Sequence, residues 1–181
     1  MTPPFPPDFR AIDHDTDTGI DERLRRLLAE QDIRQTLARY CLCLDAYDIA
    51  GVAACFTPDA ATDYGPGRGG RIQGREAIAA RIAQGQAVFR RTHHQIGQTL
   101  ITWAAGDVAS TSYVTAWHER WDGTRDVLCL RYVDRLRPAY GPWQVAERQV
   151  EVAYCDGFAG GPWQWVPRRL PVGVADPTTP G

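Results

Sequence analysis

Asp45, His94, His118, Arg148, Tyr40 and Tyr64 are the residues whose types and settings suit acid–base chemistry. Asp45 continues the apolar stripe Ile33, Leu37, Cys41 by one further helical step of four, which puts a carboxylate on the face that should meet the rest of the protein. A buried carboxylate is costly without a cation or hydrogen-bond donor, so Asp45 needs a partner. The plain alternative is a helix-end aspartate turned to solvent or capping the next helix. His93 and His94 are neighbours in a strand-like run, so they point to opposite faces and only one of them enters a pocket. Thr92, His94, Ile96 and Leu100 share one face; His93, Gln95 and Thr99 share the other. Neither face is cleanly apolar, so alternation leaves the choice between the two histidines open.

His118 lies in YVTAWHERW, on the strand that follows. If the two strands pair through the turn at 105–107, His94 falls opposite His118, with Cβ atoms about 5 Å apart. A one-residue slip would send the two to different faces, and a rim histidine with structural duties is the alternative. Arg148 alternates with Ala146, Val150 and Val152 on an apolar strand face, where a guanidinium needs a counter-charge. Asp45 is its expected partner across the cavity. Tyr40 and Tyr64 can bring hydroxyls to the same space, although a tyrosine taken alone is more often a packing residue.

Together these types suit a histidine–carboxylate dyad. The carboxylate fixes the imidazole tautomer and stabilises the imidazolium, and the imidazole removes a proton from carbon or oxygen. Other chemistries lack their signatures. There is no nucleophile motif, no HExxH and no dinucleotide fingerprint, and the glycine-rich GPGRGG (65–70) is followed by no GKS or GKT. No cofactor is expected. The five cysteines, Cys41, Cys43, Cys55, Cys129 and Cys155, are odd in number and none has zinc-ribbon spacing, which favours reduced thiols in a cytoplasmic protein.

The elements that must position these residues follow from periodicity. Asp21 can cap a helix that runs from Glu22 to about Asp45. Asp48 to Phe56 reads as a short second helix ended by Pro58. Ala60 to Tyr64 reads as a strand, and Glu76 to Phe89 as a third helix with Ile78, Ile82 and Val88 among its apolar positions. From Thr92 the period becomes two: 92–105, 108–121, 126–138 and 143–154 read as long strands, joined by turns at AGD (105–107), DGT (122–124) and AYGP (139–142). Helices first and an antiparallel meander after them indicate an α+β fold, a curved sheet with three helices enclosing a pocket.

The chain has 181 residues, 44% hydrophobic and 23% charged, enough for one domain with a real core. A net charge of −2 gives no reason to expect nucleic acid as a partner. No apolar run reaches the roughly 20 residues that cross a bilayer, and MTPPFPPDFR is no secretory signal. Residues 1–20 are expected to be a flexible arm, 21–156 the domain, and 157–181 a Pro/Gly-rich tail that packs through Trp163 and Trp165 on the body or a neighbour.

The segments IRQTLARYCLCLDAYDIAGVAACFTPDA, THHQIGQTLI, RYVDRL and WQVAERQVEV resemble the SnoaL-like proteins of the nuclear transport factor 2-like superfamily over about two thirds of the chain. The likeness is greatest to the scytalone dehydratase and hexachlorocyclohexane dehydrochlorinase branch. It implies a cone-shaped sheet around a pocket, no cofactor, and a homodimer or homotrimer. It also implies that the aspartate of LDAYD, Asp45, pairs with His94 of THHQIG rather than with His93. Tyr64 and His118 correspond to a pocket tyrosine and a second histidine, Tyr40 to a tyrosine five residues before the aspartate, and Arg148 to an arginine that supports the dyad. Leu44 departs from the scytalone dehydratase pattern, which has a tyrosine directly before the aspartate. A cofactor-independent lyase acting on an apolar cyclic molecule (steroid, polyketide or terpenoid) is the leading expectation. An isomerase or cyclase with the same dyad, and a non-catalytic binding module or oxygenase accessory subunit, are the alternatives.

Overall fold

The computed structural model describes residues 19–104, 107–139, 141–157 and 163–164. The expected arm over 1–18, residues 105–106 of the AGD turn, Tyr140 of AYGP, and the tail over 158–162 and 165–181 with Trp165 lie outside them. The described residues form three α-helices and a curved, unclosed six-stranded sheet, an α+β architecture.

Helix α1 (Ile20–Asp45) buries Ile33, Thr36, Leu37, Tyr40, Cys41 and Leu44, the stripe expected from the sequence with its i+3 neighbours added. It starts two residues earlier than expected. Its N-cap is Gly19, and Asp21 sits in the first turn, where its charge complements the helix dipole instead of capping. Asp48 caps the short α2 (Ile49–Ala54), accepting from the Gly51 amide at 2.9 Å. Phe56, expected to be the last residue of that helix, instead opens strand β1 (Phe56–Asp63), which therefore contains Pro58. Proline is tolerated there because the pairing of β1 with the last strand is irregular between Phe56 and Ala61, so no ladder amide is missing.

The glycine-rich segment makes a 3-10 turn (Pro66–Arg68) and leads into β2 (Arg71–Gln73), a short strand not expected from periodicity. Helix α3 (Arg75–Gln86) is shorter than expected. Val88 lies beyond its end and is exposed, and Phe89 begins the next strand.

Four long strands follow: β3 (Phe89–Ala104), β4 (Asp107–Arg120), β5 (Arg125–Arg137) and β6 (Gln144–Asp156). The sheet order is β2-β1-β6-β5-β4-β3, with β1 parallel to β6 and all other neighbours antiparallel. The β3–β4 register differs from the expected one. His94 faces Ala116, and Thr92 faces His118. Two one-residue changes add up to this. The hairpin closes tightly with Ala104 opposite Asp107, and an irregularity between Ile96 and Thr99 shifts the pairing once more. A shift of two restores the face, so His94 and His118 still share it. Leu100 lies on the tip side of the irregularity, where only one change has accumulated. It points outward and is 38% exposed, a correction to the expected shared face.

The core lies between the helices and the concave face of the sheet, with Ile33, Leu37, Phe56, Val52, Ile78, Val145 and Val152 essentially inaccessible. Helix α1 is fixed on this face by Thr36, whose hydroxyl donates to the Trp143 carbonyl at 2.7 Å. Near the helix end it is fixed by contacts to β3.

Candidate functional site

Asp45 is the last residue of α1, where the helix dipole disfavours a negative charge and no basic residue stands in the final turn. Strand β3 supplies what the helix does not. The Thr92 hydroxyl donates to Asp45 Oδ1 at 2.8 Å, the His94 backbone amide donates to Oδ2 at 2.9 Å, and His94 Nδ1 lies 2.7 Å from Oδ1. Burial alone would raise the Asp45 carboxyl, but the hydrogen bonds from the His94 ring, the His94 amide and Thr92 outweigh it and hold the pKa at about 2. An ionised carboxylate at Nδ1 selects the tautomer with its proton on Nδ1 and leaves Nε2 as the basic nitrogen. His93 points to the other side of the strand, exposed, with Nδ1 4.0 Å from Asp45 Oδ2.

His118 forms a second pair of the same kind. Its Nδ1 is 2.6 Å from Oδ1 of Asp126, the residue directly opposite it on β5, and Arg120 Nη2 is 2.7 Å from Asp126 Oδ2. The His94 and His118 rings lie edge to face at 5.2 Å, and Phe89 stacks on His118 at 4.4 Å. Burial, and after it the neighbouring His94, push the His118 pKa down to about 4. His118 is therefore neutral at pH 7, with Nε2 an acceptor.

Tyr40 and Tyr64 meet hydroxyl to hydroxyl at 3.2 Å. Burial pushes both phenols up, so both stay protonated. Since one hydroxyl can donate to the other, one proton of the pair remains for a ligand.

Arg148 corrects an expectation. It does not reach Asp45. Its Nε and Nη2 each donate at 2.7 Å to Asp134, its cross-strand partner on β5, and both side chains are fully buried. The guanidinium lies 4.0 Å from the Tyr132 ring centroid and 4.3 Å from that of Tyr40. Burial opposes its charge, but Asp134 holds the guanidinium firmly cationic. Asp45 went to the nearer donors because β3, not β6, packs on the end of α1. Arg148 acts as a buried prop beneath Tyr40 and Tyr132.

His94, His118, Tyr40, Tyr64 and Tyr132 all line one cavity of about 140 Å³, and Arg148 does not. Leu44, Ile82, Phe89, Leu128, Leu130, Val150 and Val152 make most of its wall apolar. Arg68, Arg81, Gln86 and Trp163 also line it. The volume is close to the ~150 Å³ apolar cavity known to admit one benzene ring.

Sequence reasoning passed over Asp126, Asp134, Tyr132, Arg68 and Arg81. Asp126 had a partial signal: a turn centred on Gly123 places His118 opposite Leu128, on the same strand face as Asp126, but the pairing itself required the β4–β5 register. Asp134 required the β5–β6 register, and Arg68 and Arg81 required the path of the glycine-rich turn past α3.

The family model for a SnoaL-like domain matches residues 25–149. No curated protein sequence matches the chain. Among solved structures, a scytalone dehydratase candidate from Novosphingobium aromaticivorans is 23% identical, with 86% of this chain and 99% of that one covered and a TM-score of 0.68. Hexachlorocyclohexane dehydrochlorinase (LinA) type 2 is 17% identical, covering 84% and 99%, with a TM-score of 0.67. A point variant of Rv3472 from Mycobacterium tuberculosis, a protein of unknown function, is 26% identical, covering 70% and 77%, with a TM-score of 0.62.

Proposed function

The chain belongs to the SnoaL-like domain family, and from that premise we propose that it is a cofactor-independent lyase of the dehydratase or dehydrohalogenase type. The observation that carries this reading is the 2.7 Å contact between His94 Nδ1 and an ionised Asp45, with the same imidazole lining an apolar cavity.

His94 Nε2 removes a proton from a carbon next to an activating carbonyl, and Asp45 stabilises the imidazolium that forms. The electron pair of the broken C–H bond becomes the new C=C bond as the leaving group departs from the adjacent carbon. A leaving hydroxyl takes the proton back from His94 and departs as water; a halide departs as the anion and the proton passes to solvent. The Tyr40–Tyr64 pair donates to the carbonyl oxygen, where negative charge develops. Neutral His118 accepts from a substrate hydroxyl and orients it. The fold family supports the general class, since dehydratase and dehydrochlorinase structures share the fold.

The substrate class is an apolar cyclic molecule that places one ring in the cavity. The test is release of water or halide from a panel of cyclic β-hydroxy and β-halo ketones. The reading expects turnover by the wild type and loss of it in His94→Gln with the fold preserved. A fully active His94→Gln would end it.

The chain is further proposed to work as a homodimer or homotrimer. Ile20, Leu24, Leu27 and Leu28 on the first half of α1 are each more than half exposed, an apolar stripe of the kind that subunit contacts cover. Sedimentation equilibrium checks this, and a monomer at micromolar concentration contradicts it.

A further inference from the structure

The proposed elimination leaves one polar part of the cavity without a task. Arg68, at the end of the 3-10 turn, and Arg81, on α3, both line the cavity, and neither belongs to the two histidine–carboxylate pairs. Arg81 donates through Nε at 3.1 Å and through Nη2 to the backbone carbonyl of Arg68, which spends two of its donors on a neutral oxygen and leaves its charge unneutralised by that contact. The Arg68 guanidinium lies 4.9 Å over the ring of Trp163.

Two like charges thus sit together on the wall of a largely apolar, partly buried space. Burial and then the neighbouring Arg81 lower the Arg68 pKa, against a smaller raising pull from Asp126. Three carboxylates of the fold are hydrogen-bonded or ion-paired to other groups. Asp45 holds His94, Asp126 holds His118 and Arg120, and Asp134 holds Arg148. The result is a largely apolar space of about 140 Å³ with both guanidinium and imidazole groups on its wall.

We propose that the ligand of this cavity is a ring-sized carboxylic acid bound as its anion, with the carboxylate at Arg68 and Arg81 and the ring directed toward His94. Guanidinium forks match the planar carboxylate, and an anion there forms charge-assisted hydrogen bonds that a neutral amide of the same shape does not. This rests on the reading that the cavity is the substrate site, and it narrows the substrate from an apolar ring to an acidic one.

The experiment is calorimetric titration of the full chain with benzoate and with benzamide, in wild type, Arg81→Gln and Arg68→Gln. The expected result is benzoate binding at least about tenfold tighter than benzamide, in line with the strength of hydrogen bonds to charged groups. Either glutamine variant weakens benzoate binding more than benzamide binding and so removes most of that preference. If Arg81→Gln disturbs the turn it braces, Arg68→Gln supplies the reading. Equal affinities in the wild type, no benzoate binding at millimolar concentration, or an undiminished preference in both variants overturns the proposal. His94→Gln keeps the benzoate preference if the acid-binding assignment is right, so a failure of the catalytic reading and a failure of this one give different results.

Discussion

Asp45 is a carboxylate at the wrong end of a helix, and three donors from one strand keep it there ionised. Replacing it by asparagine preserves shape but allows the amide to pair with the other imidazole tautomer. Asp45→Asn is expected to lower kcat by ~10²–10⁴-fold, the usual range for acid–base help, with a small effect on KM. Steady-state kinetics on any turned-over ketone checks this. His118 makes a separate prediction about stability. In the fold it stays neutral down to about pH 4, whereas unfolded it takes up a proton near 6.5. Between those values unfolding binds a proton, so the contribution of His118 is fully present above pH 6.5 and is lost as pH falls toward 4. The loss is on the order of 3 kcal/mol. Urea melts across this window should show a slope in the wild type that flattens in His118→Gln. At this scale much was legible. Asp45 stood out because a charge continued an apolar stripe. The choice of His94 over His93 was not, because both strand faces mix polar and apolar residues; it came from family resemblance alone.

The elements place these side chains through register. The meander and the long first helix could be read from periodicity, whereas the shared face of His94 and His118 was expected from an assumed turn register and holds because two one-residue changes together restore it. The pairing itself could not be read, because the irregularity between Ile96 and Thr99 has no marker in residue type beyond Gly97. Pro58 misled for a related reason: it reads as a helix breaker, yet it sits where β1 makes no regular ladder. Arg148 illustrates the limit most clearly. A charged residue on an apolar strand announces a partner but does not say which one, and cross-strand Asp134 was closer than Asp45. Breaking that pair leaves a buried charge alone, so Arg148→Met or Asp134→Leu alone should cost about 3–5 kcal/mol in chemical denaturation. The double variant Arg148→Met/Asp134→Leu should recover most of the loss, because it removes both charges at once.

At the scale of the whole molecule, a curved sheet with helices on its concave side leaves a largely apolar cavity with a few polar side chains on its wall. No helix among the described residues is long and apolar enough to cross a membrane. One wall comes from beyond the sheet. Trp163 lines the cavity, and the next residue, Gln164, accepts a hydrogen bond from the Val152 amide at 2.7 Å. Trp163→Ala should therefore weaken binding of neutral and acidic ring compounds alike, by roughly tenfold for the loss of an aromatic wall, while the imidazole resonances of His94 and His118 in the free protein stay in place. Calorimetry and proton NMR check the two halves. The central claim is that His94 takes a proton from carbon, and it is tested most directly by exchange in deuterated water. Incorporation of deuterium next to the carbonyl of ring-sized cyclic ketones should be accelerated by the wild type and fall to background in His94→Gln. Equal exchange in the two proteins, or no acceleration by the wild type across the panel, would contradict the account.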